Sequence, residues 1–293
     1  MSDLLIVDAH AHLWDRQHGM VDGRPVVPVG NGKSDFGGAI RQMMPPDMDD
    51  NRCSVERLMA NMDYAGVSGC VITQEYIDGN QDDYLLECKS RFGKRMKICS
   101  LYEENADWQH EGFDGVKICA GRLKDTNLLH HQDVFAGAAD LNMFVSIDLA
   151  EGDVQVDAMQ QLIEQFPTLR IAIGHFGMVT IDGWKRQIEL AKNKNVYIES
   201  GGLTWLFNKE GYPYPGAIDA IIEAANICGM DKLMWGSDYP RTMVALTYEM
   251  STRFILESKH LSSEDKKAFL GENAIKFYGF DNLTRPEHID NML

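Results

Sequence analysis

Residues 4–12 read LLIVDAHAH, an apolar run that ends in two histidines. Side chains at positions i and i+2 of a β-strand point to the same side, so His10 and His12 are predicted to project together from the strand's C-terminal end. Two convergent imidazoles suit a divalent metal ion or the polarisation of a carbonyl group. A turn cap and a packed core histidine would give the same pattern, but three later stretches favour a functional site.

Length and composition restrict the class of protein. A chain of 293 residues can hold two small domains or one (β/α)8 barrel of roughly 250 residues. A hydrophobic content of 44% with 25% charged residues is typical of a soluble protein with a substantial core. The net charge of -16 disfavours nucleic-acid and anionic-membrane partners, whereas a small anionic substrate can still bind beside local cations.

The first residues and the lengths of the apolar runs predict the cellular compartment of the protein. Met-Ser-Asp at the start lacks the basic and apolar regions of a signal peptide. No apolar stretch reaches the ~20 residues of a spanning helix. We therefore expect a cytoplasmic protein without a membrane partner, and a homo-oligomer remains open.

Short runs rich in Val, Ile and Cys alternate with segments of helical period, which is typical of repeated β-α units around a parallel sheet. Eight candidate strands are found, and eight strands close a barrel. They are Leu4 to His10, Gly69 to Gln74, Met96 to Leu101, Gly115 to Cys119, Phe144 to Leu149, Leu169 to Ile173, Val196 to Ser200 and Leu233 to Ser237. The sequence thus predicts an α/β fold of the (β/α)8 TIM-barrel type.

Three intervening segments have the spacing of amphipathic helices. Apolar residues recur at i, i+3, i+4 and i+7 from Val55 and again from Met159. Pro215 is predicted to begin a third helix and Gly229 to cap its C-terminus. Nothing between them reads as a linker, so residues 1–293 are expected to form a single barrel domain with a C-terminal helical segment and tail over 260–293.

Residues 16–52 interrupt the regular spacing, because they are rich in Gly, Pro, Asp and Asn and have little periodicity. A loop of this length is unusual in a compact domain and often functional. Since it follows the first strand, it would lie over the C-terminal mouth of the barrel as a lid or an oligomer contact. A disordered surface insertion is the alternative.

Polar side chains stand at the C-terminal ends of most of the predicted strands, and in a parallel barrel these ends meet at one mouth. They are His10, His12, Glu75, Lys117, Asp148, His175, Glu199, Ser200 and Asp238. Any one of them could be a capping residue, a core histidine or a satisfied hydrogen-bond partner. Their coincidence at a single rim favours an active site.

Two of these residues have informative surroundings. His175 follows the buried run Ile171–Gly174 and precedes a tight turn that would hold the imidazole at the mouth. Asp238 lies between an apolar run and Tyr239-Pro240, where burial raises the pKa of a carboxyl group unless a metal or an imidazolium pairs with it. Such a carboxylate suits a general base.

Three motifs occur along the chain in this order: DAHAH at 8–12, GHFG at 174–177 and WGSDYP at 235–240. Together they resemble the amidohydrolase superfamily, and more narrowly its amidohydrolase-2 group. The stretch GENA at 271–274 is similar to the terminal helix of that group, so the resemblance covers almost the whole chain. It implies a barrel hydrolase, and the motifs are specific for the superfamily rather than for the substrate.

Two branches of the group compete. The decarboxylase and hydratase branch carries a metal-binding histidine on the fifth strand, where this chain has Asp148. The branch of 2-pyrone-4,6-dicarboxylate lactonase and sugar-acid lactonases lacks that histidine and resembles this sequence more closely. Lys117 resembles an arginine of the lactonases; a carboxylated lysine bridging two metals is the other meaning, but it would also need the missing histidine.

The resemblance therefore implies the hydrolysis of a lactone of a sugar acid or a pyrone carboxylate, within carbohydrate or aromatic catabolism. Asp238, His175, His10 and His12 are the expected catalytic residues. The expected substrate-binding residues are Lys117, Arg122, Arg241, Glu75 and Tyr76. His10, His12, Asp238 and Asp148 could hold one divalent ion, zinc or manganese, and no organic cofactor is expected. The alternatives are a metal-dependent decarboxylase or hydratase of an unsaturated acid, and a barrel that only binds.

Overall fold

The computed structural model describes residues 4–287, and its centre is a parallel barrel. Strand β1 and strands β6 to β12 pair side by side in chain order. The twelve described strands are β1 (Ile6–His12), β2 (Met20–Val21), β3 (Arg24–Gly30), β4 (Lys33–Phe36), β5 (Ile40–Gln42), β6 (Val67–Thr73), β7 (Met96–Leu101), β8 (Gly115–Ile118), β9 (Phe144–Ile147), β10 (Arg170–Ile173), β11 (Val196–Glu199) and β12 (Leu233–Met234).

Backbone hydrogen bonds join the last strand to the first. The N–H of Ala9 donates to Trp235 O at 2.9 Å, and the N–H of Asp238 donates to His10 O at 2.9 Å. These bonds continue the ladder from β12 to β1, which closes the sheet into the predicted (β/α)8 barrel. All eight predicted strands are confirmed, with ends that shift by at most three residues and with Met96–Leu101 matched at both ends.

Helices separate most of the barrel strands and cover the sheet from outside. The α-helices in residues 4–287 are α1 (Val55–Ala65), α2 (Asp82–Phe92), α3 (Gln132–Asp140), α4 (Val156–Gln165), α5 (Trp184–Glu189), α6 (Leu203–Leu206), α7 (Pro215–Cys228), α8 (Met250–Glu257), α9 (Ser263–Lys267) and α10 (Asn273–Tyr278). Three of them, α1, α4 and α7, confirm the helices predicted from the apolar spacing.

The packing of these helices follows from their sequences. In α1 the residues at helical spacing from Val55 to Met62 are all buried, and the apolar stripe of α4 is buried in the same way. Pro215 stands in the first turn of α7, where its missing N–H costs nothing. Gly229 ends α7 with a positive φ of 95°, and its N–H donates to Ala225 O at 2.9 Å.

An irregularity in β1 sets the direction of its side chains. Asp8 is opposite Cys70 but Ala11 is opposite Ile72, so β1 holds one residue more than its neighbour between these pairs. A bulge of this kind re-aims the residues that follow it. Val7 and Ala9 join an apolar cluster with residues from six other barrel strands, and the extra residue allows His10 and His12 to point to the inside of the barrel as well, at its mouth.

Residues 16–52 differ from the loop that their composition predicts. Strands β2, β3, β4 and β5 form a separate antiparallel sheet, which we call the insertion sheet. An isolated antiparallel β-bridge between Trp14 and Cys53 joins the two ends of this segment. The sequence conceals these strands because they are short and one face is exposed, so that Val27, Val29 and Ile40 remain in solvent.

The C-terminal segment packs against the end of the barrel. Between α9 and α10 a wider helical turn over Ala268–Glu272 makes the helix continuous. Phe277 and Tyr278 of α10 belong to the apolar cluster that holds Val7 and Ala9. Within the predicted segment 260–293, residues 288–293 lie outside the described residues, as do residues 1–3 at the start. None of the described helices combines the length and the apolar character needed to cross a membrane.

Candidate active site

The carboxyl ends of the barrel strands surround a cavity of about 640 Å³. His12, Glu75, Asp148, His175 and Asp238 all line it. These residues come from β1 and from the loops after β6, β9, β10 and β12. The structure therefore brings most of the predicted site residues into one mouth, because parallel strands that close a barrel end together.

His10, His12 and Asp238 form a buried triangle at the centre of this mouth. The Nε2 atoms of the two histidines are 3.0 Å apart, and His12 Nε2 is 3.0 Å from Asp238 Oδ1. The third side, from His10 Nε2 to Asp238 Oδ1, measures 3.8 Å. All three side chains are nearly inaccessible to solvent. Residues far apart in the sequence thus meet within hydrogen-bond distance.

Glu199 fixes the orientation of His10. Its Oε1 atom is 2.6 Å from His10 Nδ1, and both side chains are fully buried. Its other oxygen accepts a hydrogen bond from the N–H of Gly201 at 2.7 Å. A carboxylate on Nδ1 holds the proton there and directs the Nε2 lone pair into the triangle, as partners of metal-binding histidines do.

Asp238 is held by its backbone conformation and by Trp205, and Asp8 holds the turn that precedes it. Its φ of 59° lies in the left-handed region, which is uncommon for a residue other than glycine and recurs at functional sites. Trp205 Nε1 donates to Asp238 Oδ2 at 2.7 Å. Asp8 fixes the turn from the other side, because it accepts bonds from the N–H and hydroxyl of Ser237 and from the Tyr248 hydroxyl.

His175 lies beside the triangle. Its Nδ1 donates to Gly201 O at 2.8 Å, which leaves Nε2 directed into the cavity. The ring centroids of His175 and His10 are 4.7 Å apart. Burial alone would lower the pKa of His175, but the negative charge of Asp148 and a hydrogen bond with it raise that pKa to about 10. For His12, burial and the charge of Arg241 lower the pKa to about 3.

Asp148 and Lys117 form an ion pair beside the triangle, and Asp148 does not itself belong to the triangle. Lys117 Nζ is 2.6 Å from Asp148 Oδ1, and the lysine is fully buried. The other oxygen of Asp148 is 3.5 Å from His175 Nε2. Gly174 permits this arrangement, since a Cβ there would lie 2.0 Å from Asp148 Oδ1. The sequence predicts that Lys117 contacts the substrate. Lys117 is not among the described residues that line the cavity, and its ammonium group is paired with Asp148.

The predicted substrate-binding residues divide into two groups. Arg122 and Arg241 line the cavity, as does Glu75. Arg122 Nε is 3.0 Å from Glu75 Oε1. Arg241 makes two 2.9 Å bonds to the carboxylate of Asp78. Tyr76 stands apart, because its hydroxyl donates to Tyr102 O and it is not among the described residues that line the cavity.

The triangle suits a divalent metal ion. His10 Nε2 and Asp238 Oδ1 offer lone pairs, and His12 Nε2 can donate a proton to only one of them. Ligand atoms bonded at about 2.0–2.2 Å to a tetrahedral zinc lie about 3.3–3.6 Å from one another, which is close to the three observed distances. A neutral His12 is also the form that binds a metal. His10, Asp148 and His175 form a second cluster of possible ligands.

The comparisons agree with this architecture. The sequence profile of the amidohydrolase family matches residues 7–280, so the chain belongs to this family and is an amidohydrolase-superfamily enzyme. No match among the curated proteins was found.

Solved structures share the fold. An amidohydrolase from Burkholderia multivorans with bound zinc has a TM-score of 0.70 and 16% identity, over 94% of this chain and 99% of the other. A protein named as a probable 2-pyrone-4,6-dicarboxylic acid hydrolase from Acinetobacter baumannii, with citric acid bound, has 0.65 and 19%, over 94% and 99%. A 4-oxalomesaconate hydratase from Rhodopseudomonas palustris has 0.57 and 14%, over 94% and 96%.

Sequence reasoning missed the partners that hold the site. In the sequence Glu199 is recognisable as a strand-end carboxylate and Trp205 as an aromatic residue near the mouth. The sequence does not show that Glu199 contacts His10 or that Trp205 contacts Asp238. Asp78, which binds Arg241, and Arg41, which lines the cavity from β5, carry no motif. Arg41 lies in the segment whose strands the sequence conceals, so no periodicity points to it.

Proposed function

We propose that this protein hydrolyses a lactone of a carboxylic acid, a sugar acid or a pyrone carboxylate, to the open hydroxy acid. The observation that carries the proposal is the position of Asp238. Its carboxylate stands 3.0 Å from His12 Nε2 in a cavity that Arg41, Arg122 and Arg241 also line. A base, convergent imidazoles and cations beside one cavity are the groups that hydrolysis of an anionic ester needs.

Asp238 is the general base of the proposed reaction. It accepts a proton from a water molecule, whose oxygen then forms a bond to the lactone carbonyl carbon. The bond between that carbon and the ring oxygen breaks, and the ring oxygen takes the proton back to leave as a hydroxyl group. Trp205 holds the second oxygen of Asp238 and thereby directs Oδ1 toward the reacting water.

His175 stabilises the oxyanion. Its Nδ1 donates to Gly201 O, and its Nε2, which lies 3.5 Å from Asp148 Oδ2, is the atom that can turn its proton to a carbonyl oxygen in the cavity. His10, His12 and Asp238 would hold zinc or manganese. Such an ion, when bound, polarises a carbonyl group and lowers the pKa of water. Lys117 acts through Asp148, with which it forms an ion pair, whereas Arg122 and Arg241 face the substrate.

Decarboxylation or hydration of an unsaturated acid is the second candidate, and one observation favours it: a 4-oxalomesaconate hydratase has the same fold. The pair between Asp148 and Lys117 argues against the decarboxylase type of site, because the fifth-strand carboxylate is engaged by an ammonium group. Lactone hydrolysis releases a proton, whereas decarboxylation releases CO₂, so the two reactions have different products.

A pH-indicator screen of sugar-acid and pyrone-carboxylate lactones, run beside a CO₂ assay on unsaturated acids, tests the proposal. With a hydrolysed lactone in hand, Asp238→Asn should lower kcat by about 10²–10⁴-fold, because it removes the base. The control is Asp219→Asn, at an exposed aspartate of α7, which should leave kcat unchanged. CO₂ release without lactone turnover, or full activity of Asp238→Asn, would refute the proposal.

A further inference from the structure

We propose that Arg41 of the insertion sheet binds the carboxylate of the substrate, so that the insertion selects lactone acids over neutral lactones. The inference rests on the proposed function, since it names the residue that recognises the acid group. It assigns the residues after β1 a role in specificity, separate from the chemistry of Asp238.

Arg41 differs from the other arginines of the cavity in its lack of a partner. Arg122 is paired with Glu75, and Arg241 with Asp78. In residues 4–287 the Arg41 guanidinium forms no ion pair with a carboxylate, and its carbon lies over the Phe36 ring, 5.7 Å from the ring centroid. Of the three cavity arginines it is therefore the one whose charge is not already met by a protein carboxylate.

The sheet register directs Arg41 toward the mouth. Arg41 pairs with Ser34, and Ser34 pairs with Pro28, so these residues share one face of the insertion sheet. Ser34 is fully buried, which identifies this face as the one packed on the protein. Ile40, one position earlier, points the opposite way and is 62% exposed. Arg41 thus faces the barrel although it belongs to an edge strand.

Buried polar contacts fix the insertion sheet in place. The hydroxyl of Ser34 donates to Gln17 Oε1, and Gln17 Nε2 donates to Asp78 Oδ1 at 2.9 Å. Asp78 also binds Arg241, whose Nη1 atom is 4.0 Å from Asp238 Oδ1. The sheet that carries Arg41 is in this way attached to the residues around the catalytic aspartate. The backbone position from which the Arg41 side chain extends is therefore set before a substrate arrives.

A planar guanidinium matches a carboxylate with two parallel hydrogen bonds. Arg41 is exposed to solvent and forms no ion pair within residues 4–287. It can therefore bind a carboxylate without first breaking an existing pair. The paired arginines would have to exchange a protein carboxylate for that of the substrate. A substrate acid group therefore gains most from Arg41, and a neutral lactone gains nothing from it.

Calorimetry with an inert probe tests the inference independently of turnover. Isophthalate, a planar ring with two carboxylates, is titrated into the wild-type protein, Arg41→Gln and Arg24→Gln, and isophthalamide serves as the neutral probe. Arg24 lies in the same sheet and its guanidinium binds Gly37 O, away from the cavity lining. Arg41→Gln should weaken isophthalate binding about tenfold, because a charged hydrogen-bond donor is lost. Arg24→Gln should not.

The kinetic counterpart uses a hydrolysed lactone acid and its neutral amide. Arg41→Gln should raise KM for the acid about tenfold with kcat unchanged, and leave the amide unaffected. Equal isophthalate affinity of Arg41→Gln and wild type, or equal losses in both arginine variants, would overturn the inference. Weaker isophthalate binding without turnover of any lactone would leave Arg41 as the carboxylate site and remove the lactonase reaction instead.

Discussion

Glu199→Gln tests the centre of the site most directly, because the change removes a charge and keeps the shape of the side chain. Glu199 contacts His10 Nδ1 at 2.6 Å and accepts from Gly201 N–H at 2.7 Å, with no exposure to solvent. A hydrogen bond to a charged group contributes about 1.5–3 kcal/mol, against about 0.5–1.5 kcal/mol for a neutral pair. The hydrogen bond that orients His10 should therefore be weaker by about 1–2 kcal/mol in the variant.

This loss predicts zinc affinity about 10-fold lower, and up to 100-fold lower when the wrong imidazole tautomer is populated. Zinc binding is measured by competition with a chromogenic chelator on the metal-free proteins, and unfolding in urea checks that the fold is retained. Glu264→Gln, at an exposed glutamate of α9, is the matched control. Equal zinc affinity of Glu199→Gln and wild type would refute the role of Glu199, and a wild type that binds no zinc would refute the metal site.

Two further predictions concern stability. Asp78→Ala leaves the mostly buried Arg241 guanidinium without its carboxylate, so the free energy of unfolding measured in urea should fall by about 3 kcal/mol. Asp50→Ala breaks an exposed pair with Arg57 and should lower it by about 1 kcal/mol or less. Equal losses in the two variants would contradict this reasoning. Gly271→Ala would place a Cβ 1.8 Å from Leu5 O, where the C-terminal helix touches the start of β1, and should cost about 1–3 kcal/mol. Gly279→Ala has open space around its Cβ and only the strain of a positive φ, so its loss of thermal stability should be the smaller.

The fold was accessible from the sequence because its signals are local. Buried strands appear as short apolar runs, and α1, α4 and α7 show their apolar faces at helical spacing. The insertion sheet was not accessible, since its strands have two to seven residues and one solvent face. The bulge in β1 also escaped, because a simple alternation from residue 8 to residue 12 places Asp8 with the histidines, whereas Asp8 binds Ser237 and Tyr248 instead.

The candidate site divides in the same way. Strand ends identify His12, Asp148, His175 and Asp238 as cavity residues, because every parallel strand of a barrel ends at the same mouth. The roles of the cations could not be read from position alone. Lys117 stands at a strand end like the others, but its side chain is buried against Asp148 and does not reach the cavity lining.

The sequence by itself determined the barrel, the strand ends and the chemical types of the groups at the mouth, since these depend on hydrophobic periodicity and on motifs within a few residues. Only the tertiary structure decided which charge meets which. Glu199 with His10, Asp148 with Lys117, and Asp78 with Arg241 are pairs between different strands or loops. Their pairing depends on how side chains from separate β-α units pack around one mouth, which distance along the chain does not encode.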